Sequence, residues 1–134
     1  MNKKIYEIKE ITPSAHSFNK LRGLVGWAII DKKLVKKGLQ NSLYIVSAIC
    51  DNEVIGFCRL TGDGAMKIHI EEILIHPNHQ NKGIGSKLMK KTMKFINKNF
   101  KKGCLIRVFA NAGLENFYSK FGFKIRKEGM QYKL

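Results

Sequence analysis

Hydrophobic positions switch between two spacings along the chain, and the switches mark its elements. Ile5 to Ile8 alternates weakly with polar neighbours and predicts a first strand. Thr12-Pro13-Ser14 is a helix-start signal, because proline fits the first turn and a hydroxyl can cap it, so a short helix runs to about Arg22. Asp31 opens a second short helix, with Leu34, Val35 and Leu39 on one side and lysines on the other. Leu43 to Cys50 and Val54 to Leu60 are apolar runs joined by Asp51-Asn52-Glu53, which predicts a hairpin. Thr61-Gly62-Asp63-Gly64 is a second tight turn, leading to a strand from Lys67 to Ile75. After Pro77 the apolar residues fall at 84, 88, 89, 93, 96 and 100, a helical spacing that predicts a helix from Ile84 to about Asn99. Beyond Gly103, Cys104 to Phe109 reads as a buried strand and Asn111 to Lys120 as a short helix capped by Asn111. Phe123 to Arg126 and Met130 to Lys133 read as two closing strands around Gly129. This order predicts an α/β chain with a mixed, mostly antiparallel sheet and helices on its faces, built as one domain over residues 1–134.

Length and composition agree with that picture. A chain of 134 residues with 44% hydrophobic residues suffices for a real core. No apolar run approaches membrane-spanning length and the first residues are polar, so neither a membrane span nor a signal peptide is expected. Cys50, Cys58 and Cys104 are odd in number and lie in apolar stretches, as reduced core residues of a cytoplasmic protein do. The net charge is +15, and 21 of the 25 basic residues are lysine. Nucleic acid, an anionic cofactor or plain lysine usage would each account for it; nucleic acid is not favoured, because lysine excess need not mean recognition. Locally the charge says more: from Ile73 to Leu114 there are nine Lys or Arg and no Asp or Glu.

The stretch between strand and helix carries the chemistry. It reads Gln80-Asn81-Lys82-Gly83-Ile84-Gly85-Ser86-Lys87. The first amides of a helix have no intrahelical partner and sit at the positive end of its dipole. Glycine lets a ligand approach the backbone, so the loop is a seat for an anion, most often a phosphate, with Lys82 and Lys87 beside it. A P-loop would end Gly-Lys-Ser/Thr, and here the order is Gly85-Ser86-Lys87. A dinucleotide fingerprint would need a small residue where Leu88 stands, and an acidic residue about 20 positions on. What remains, Gln-x-x-Gly-x-Gly after a strand and before a helix, resembles the acetyl-coenzyme A signature of the GCN5-related N-acetyltransferases, the GNAT superfamily. Asn111 to Phe123, with Tyr118 before Gly122-Phe123, resembles that superfamily's second motif. The pattern Leu21-Arg22, Val25-Gly26-Trp27, Gly62-Asp63-Gly64 and Gly129-Met130 is similar to a subgroup of small bacterial members.

The resemblance implies an acetyltransferase that uses acetyl-CoA as donor and moves the acetyl group directly to a primary amine. The acceptor would be a small molecule; a protein N-terminus, a lysine, an aminoacyl-tRNA or a non-catalytic coenzyme-binding role stay open. It implies that the backbone of Ile73, Leu74 and Ile75 grips the pantetheine arm, that residues 80 to 87 hold the pyrophosphate, and that Asn111 and Phe117 also contact the coenzyme. Tyr118 would be the acid: a phenol near pKa ~10 gives a proton to a nascent thiolate near ~8.5 only slightly uphill. The base would come from the strand. Alternation puts 69, 71 and 73 on one face and 70, 72 and 74 on the other, so Glu71 and His69 are neighbouring candidates and Glu72 the reserve. Trp27 and Arg22 are candidates for the acceptor pocket. His76 and His79 lack a third ligand at sensible spacing, so no metal is expected. A homodimer is left open and a membrane partner is not expected.

Overall fold

The computed structural model describes residues 3–111, 113–127 and 129–134. Its elements are β1 (Glu7–Lys9), α1 (Ala15–Leu24), α2 (Lys32–Gln40), β2 (Tyr44–Cys50), β3 (Glu53–Gly62), β4 (Lys67–Ile75), a single 3-10 turn (Pro77–His79), α3 (Ile84–Asn99), β5 (Leu105–Val108) and α4 (Glu115–Ser119). The five strands form one sheet in chain order. β1 to β4 are antiparallel neighbours and β5 joins β4 in parallel, a connection that requires the crossover helix α3.

Local signals set the helix starts. The Ser14 hydroxyl accepts the Ser17 N–H, and the Asp31 carboxylate accepts those of Lys33 and Leu34. Asp63 organises the β3–β4 turn by accepting the N–H groups of Ala65, Met66 and Lys67, which hold its carboxyl below the usual range. Helices cover both faces of the sheet. On one, α1 and α2 bury Phe18, Leu21, Val35 and Leu39 against Ile45, Phe57 and Leu74. On the other, α3 sets Ile84, Leu88, Met89 and Ile96 against Val46, Cys58, Leu60, Ile68 and Ile70, and α4 adds Tyr118.

One irregularity changes the reading of β4. Arg59 pairs with Glu72, but the next residue, Leu60, pairs with Ile70, so Glu71 is an extra residue in β4. A bulge of this kind reverses the side-chain alternation beyond it. Ile68 and Ile70 face α3, as do Ile73 and Ile75, while Leu74 packs under α1. The expected grouping of 69, 71 and 73 on one face therefore does not hold: His69 shares the α1 side with Glu72 and Leu74, and Ile73 is on the other.

The end of the chain also departs from expectation. β5 is an outer strand and only half covered, with Leu105 45% exposed. The helix expected from Asn111 is only Glu115–Ser119, and its N-cap is Leu114 with no side-chain bond. Gly113, at φ +90°, breaks the helical path, and Asn111 contributes its carbonyl to the Leu114 N–H rather than a cap; Ala112 lies outside the described residues. The two closing strands are not formed among the described residues, and Glu128 lies outside them. Ile125, Met130 and Tyr132 are exposed, and of these two apolar runs Phe123 packs on the core, beside Tyr118, without building a buried strand face.

Phe57 is fully buried and stacks on Phe18 with ring centroids 5.2 Å apart, tying α1 to the sheet. Phe57→Ala is expected to cost about 3–5 kcal/mol, read as a lower urea midpoint at unchanged slope.

Candidate active site

The site opens where the sheet splits. β5 pairs with β4 only from Lys67 to Ile70, whereas β3 stays paired with β4 as far as Ile75. Beyond the Glu71 bulge, one edge of β4 has no strand beside it among the described residues. Main-chain groups on such an edge suit an extended ligand arm, which binds as an added strand. A cavity of about 570 Å³ lies along this edge, with Ile73, Leu74 and Ile75 in its wall.

The glycine loop forms one end of the cavity, through Asn81, Gly83, Ile84, Gly85 and Ser86. Asn81 and Gly83 adopt left-handed backbone, at φ +62° and +77°, which turns successive amides to one side. No side chain caps α3, and the N–H groups of residues 81 to 86 have no acceptor among the described residues; the first to find one is that of Lys87, on the Gly83 carbonyl. Six free donors at the head of a sixteen-residue helix suit a pyrophosphate. The two glycines differ in role. Gly83 is required by its backbone angle. Gly85 is not: a Cβ there would meet the Phe117 ring at 3.6 Å, an ordinary contact, so the fold tolerates a side chain and the glycine keeps the wall open. These observations fit the diphosphate and pantetheine of coenzyme A, with residues 81–86 against the first and β4 against the second.

Asn111, Leu114, Phe117 and Tyr118 also line the cavity. Tyr118 is 7% exposed, and burial pushes its phenol up to about 12. The same burial lifts the thiol of Cys58 to about 12. Val25 and Trp27, from the loop after α1, close a third side.

Of the residues singled out from sequence, Gln80 lines the cavity, but its side-chain amide donates to the Ile75 carbonyl and so fastens the loop to the strand. Lys82 and Lys87 are exposed and outside the lining. His69, Glu71 and Glu72 are not in the lining either. Glu72 is held by two 2.7 Å bonds from Arg59, which lies over Phe18, so the reserve base is already paired. Glu71 accepts the Thr61 hydroxyl. Arg22 borders the site through Trp27.

Three lining residues escaped the sequence reading: Val25, Leu114 and His79. The His79 Nδ1 lies 2.9 Å from the Tyr6 hydroxyl, across 73 positions, a link no local pattern could signal. Burial, with His76, Lys4 and Lys82 nearby, pulls its imidazole below the usual range and favours the neutral ring. The His76 Nδ1 is occupied by the Asn78 N–H, and no three metal-binding side chains gather among the described residues. None of the ion pairs among the described residues uses a lysine between 82 and 102, so α3 and the segment after it carry positive charge that no ion pair offsets.

Comparison with known proteins agrees with this geometry. The sequence profile of the acetyltransferase (GNAT) family matches residues 5–123. An uncharacterised N-acetyltransferase, ycf52, from Gracilaria tenuistipitata var. liui is 31% identical over 120 residues, covering 87% of this chain and 65% of that protein. The chain thus spans slightly less than two thirds of that relative's length. A Staphylococcus aureus protein of unknown function, known from its crystal structure, superposes with a TM-score of 0.91 at 26% identity, over 97% of this chain and 100% of its own. The PaiA N-acetyltransferase of Thermoplasma acidophilum, solved with coenzyme A, shares the fold at 19% identity, with a TM-score of 0.65 over 93% of each chain. With the family profile spanning residues 5–123, the chain belongs to the acetyltransferase (GNAT) family.

Proposed function

We propose that this protein is an acetyl-CoA-dependent N-acetyltransferase that moves the acetyl group directly to a primary amine of a small molecule. The observation that carries the proposal is the pairing, along one cavity, of a run of unpartnered amides, five of them from lining residues Asn81 and Gly83 to Ser86, with the unpaired edge of β4. Bound acetyl-CoA supplies the acetyl group as a thioester.

In this reading the chain's residues divide the work. Residues 81–86 hold the diphosphate, and the uncompensated lysines of α3 draw the anionic donor in. Ile73, Leu74 and Ile75 align the thioester through their backbone, and an amide of Ile73 or Leu74 faces the carbonyl oxygen as it gathers charge. Asn111 and Phe117 flank the arm, and Trp27 walls the acceptor side.

Tyr118 keeps its proton at neutral pH, because burial holds the phenol near 12, and gives it to the departing sulfur. Desolvation makes any thiolate beside it more basic, as it does Cys58. His69 and Glu71 stand outside the cavity wall, so either would take the amine proton through a water. Glu72, paired with Arg59, instead braces the bulge.

Two measurements test this. Gly85→Ala should leave thermal stability equal or higher, by up to about 1 kcal/mol from helix propensity, yet weaken coenzyme A in calorimetry; Gly85→Trp should abolish binding. Tyr118→Phe should lower turnover by about 100-fold or more in a coenzyme-thiol release assay, with coenzyme affinity within about twofold. Unchanged turnover would remove Tyr118 from the acid role.

A further inference from the structure

We infer that the acceptor amine also carries an oxyanion, a carboxylate or a phosphate, and that the Arg22 guanidinium receives it at the edge of the cavity. The inference rests on the acetyl-transfer reading for the amine, but not for the anion.

Two arginines lie over the same ring. Arg59 and Arg22 each place their guanidinium carbon 5.8 Å from the centre of Phe18. Arg59 is closed by a built-in carboxylate, Glu72, with both bonds at 2.7 Å. Arg22 has no carboxylate among the described residues. Its Nε donates to the Ala28 carbonyl at 2.9 Å, its carbon lies 5.3 Å from the centre of the Trp27 ring, and its two terminal nitrogens have no acceptor among the described residues. The side chain is thus fixed at Nε, stacked on two aromatic rings, and left with its bidentate end free. That is the preorganised half of a guanidinium–oxyanion pair.

Its position makes the free end useful. Val25 and Trp27, which follow Arg22 in the chain, line the cavity with Ile73 to Ile75 and Tyr118. The charge balance points the same way. No Asp or Glu lines the cavity among the described residues, and the chain carries +15, so the protein itself offers a purely cationic amine such as a polyamine no carboxylate partner there. An amine with an anionic group is attracted by the same field and has a partner waiting. Transfer then forms the C–N bond and breaks the C–S bond. The sulfur leaves with the electron pair and takes one proton, the amine gives up one proton, and Arg22 keeps its own throughout.

The test uses matched amines and a second readout that needs no turnover. Coenzyme-thiol release is measured for L-amino acids against their carboxamides, and for glucosamine 6-phosphate against glucosamine; the first pairs report carboxylate and the last phosphate. The oxyanion-bearing member of at least one pair should show a kcat/KM about 10- to 100-fold higher, and Arg22→Gln should collapse that ratio while Arg22→Lys retains part of it. Trp27 is the only tryptophan, so its emission reports the guanidinium beside it. Titration with succinate or inorganic phosphate should change it saturably relative to sodium chloride at equal ionic strength, and Arg22→Gln, checked for native thermal unfolding, should lose the response. Equal rates within every pair, an equal loss for both members in Arg22→Gln, or an emission change that survives that variant would overturn the inference. Thiol release without anion preference would overturn it alone and leave the acetyl-transfer reading standing. A saturable response dependent on Arg22, with no thiol release from any amine, would do the reverse.

Discussion

Everything in this molecule that resembles a binding site depends on β4 losing its outer neighbour halfway along. Four residues of β5 hold the first half in the sheet, and then the pairing stops while β3 continues on the other side. A strand left open in this way carries unpaired main-chain donors and acceptors, normally a liability that proteins cover. Here the open half faces a cavity rather than bulk solvent, and the amides at the head of α3 face the same space. Two sets of unsatisfied backbone groups thus converge, and side chains contribute chiefly by staying away, as Gly85 does.

The Glu71 bulge and the Arg59–Glu72 pair explain how the open half is kept in shape. The extra residue turns Ile73 and Ile75 toward the α3 face and Leu74 toward α1. An ion pair as closed as Arg59–Glu72 is rarely retained for stability alone, since two desolvated charges nearly cancel their own attraction. Its geometry favours one register. Glu72 is the first residue beyond the bulge, and fastening it to the opposite residue of β3 fixes where the reversed alternation begins.

Much of this was legible in the sequence, for reasons that differ by region. Helix α3 was placed at its ends because apolar spacing, Gly83 and a long amphipathic face all agree. The anion seat followed from two glycines and the strand before them. The faces of β4 were misread because a bulge is a pairing event, and nothing in Ile-Glu-Glu-Ile-Leu-Ile says that one glutamate has no opposite number. The pairing of His69 with Glu71 on one face rested on the regular alternation that the bulge interrupts. The closing strands were overread because short apolar runs look alike whether or not a neighbour exists to bury them. Asn111 seemed a helix cap because Gly113 was not weighed as a break. His79 and Val25 could not be found at all, since their places in the wall depend on contacts across the fold.

A site made of peptide groups keeps its record in spacing rather than in letters. Side chains around the β4 edge and the α3 head are free to drift so long as each main-chain amide stays at its station. Gaining or losing one residue between Arg59 and Gly85 would shift the stations together. Such a lineage should accept many replacements and few changes of length there. That offers one account of how chains with only about a quarter of their residues in common can still trace nearly the same backbone, as the Staphylococcus aureus protein and this one do.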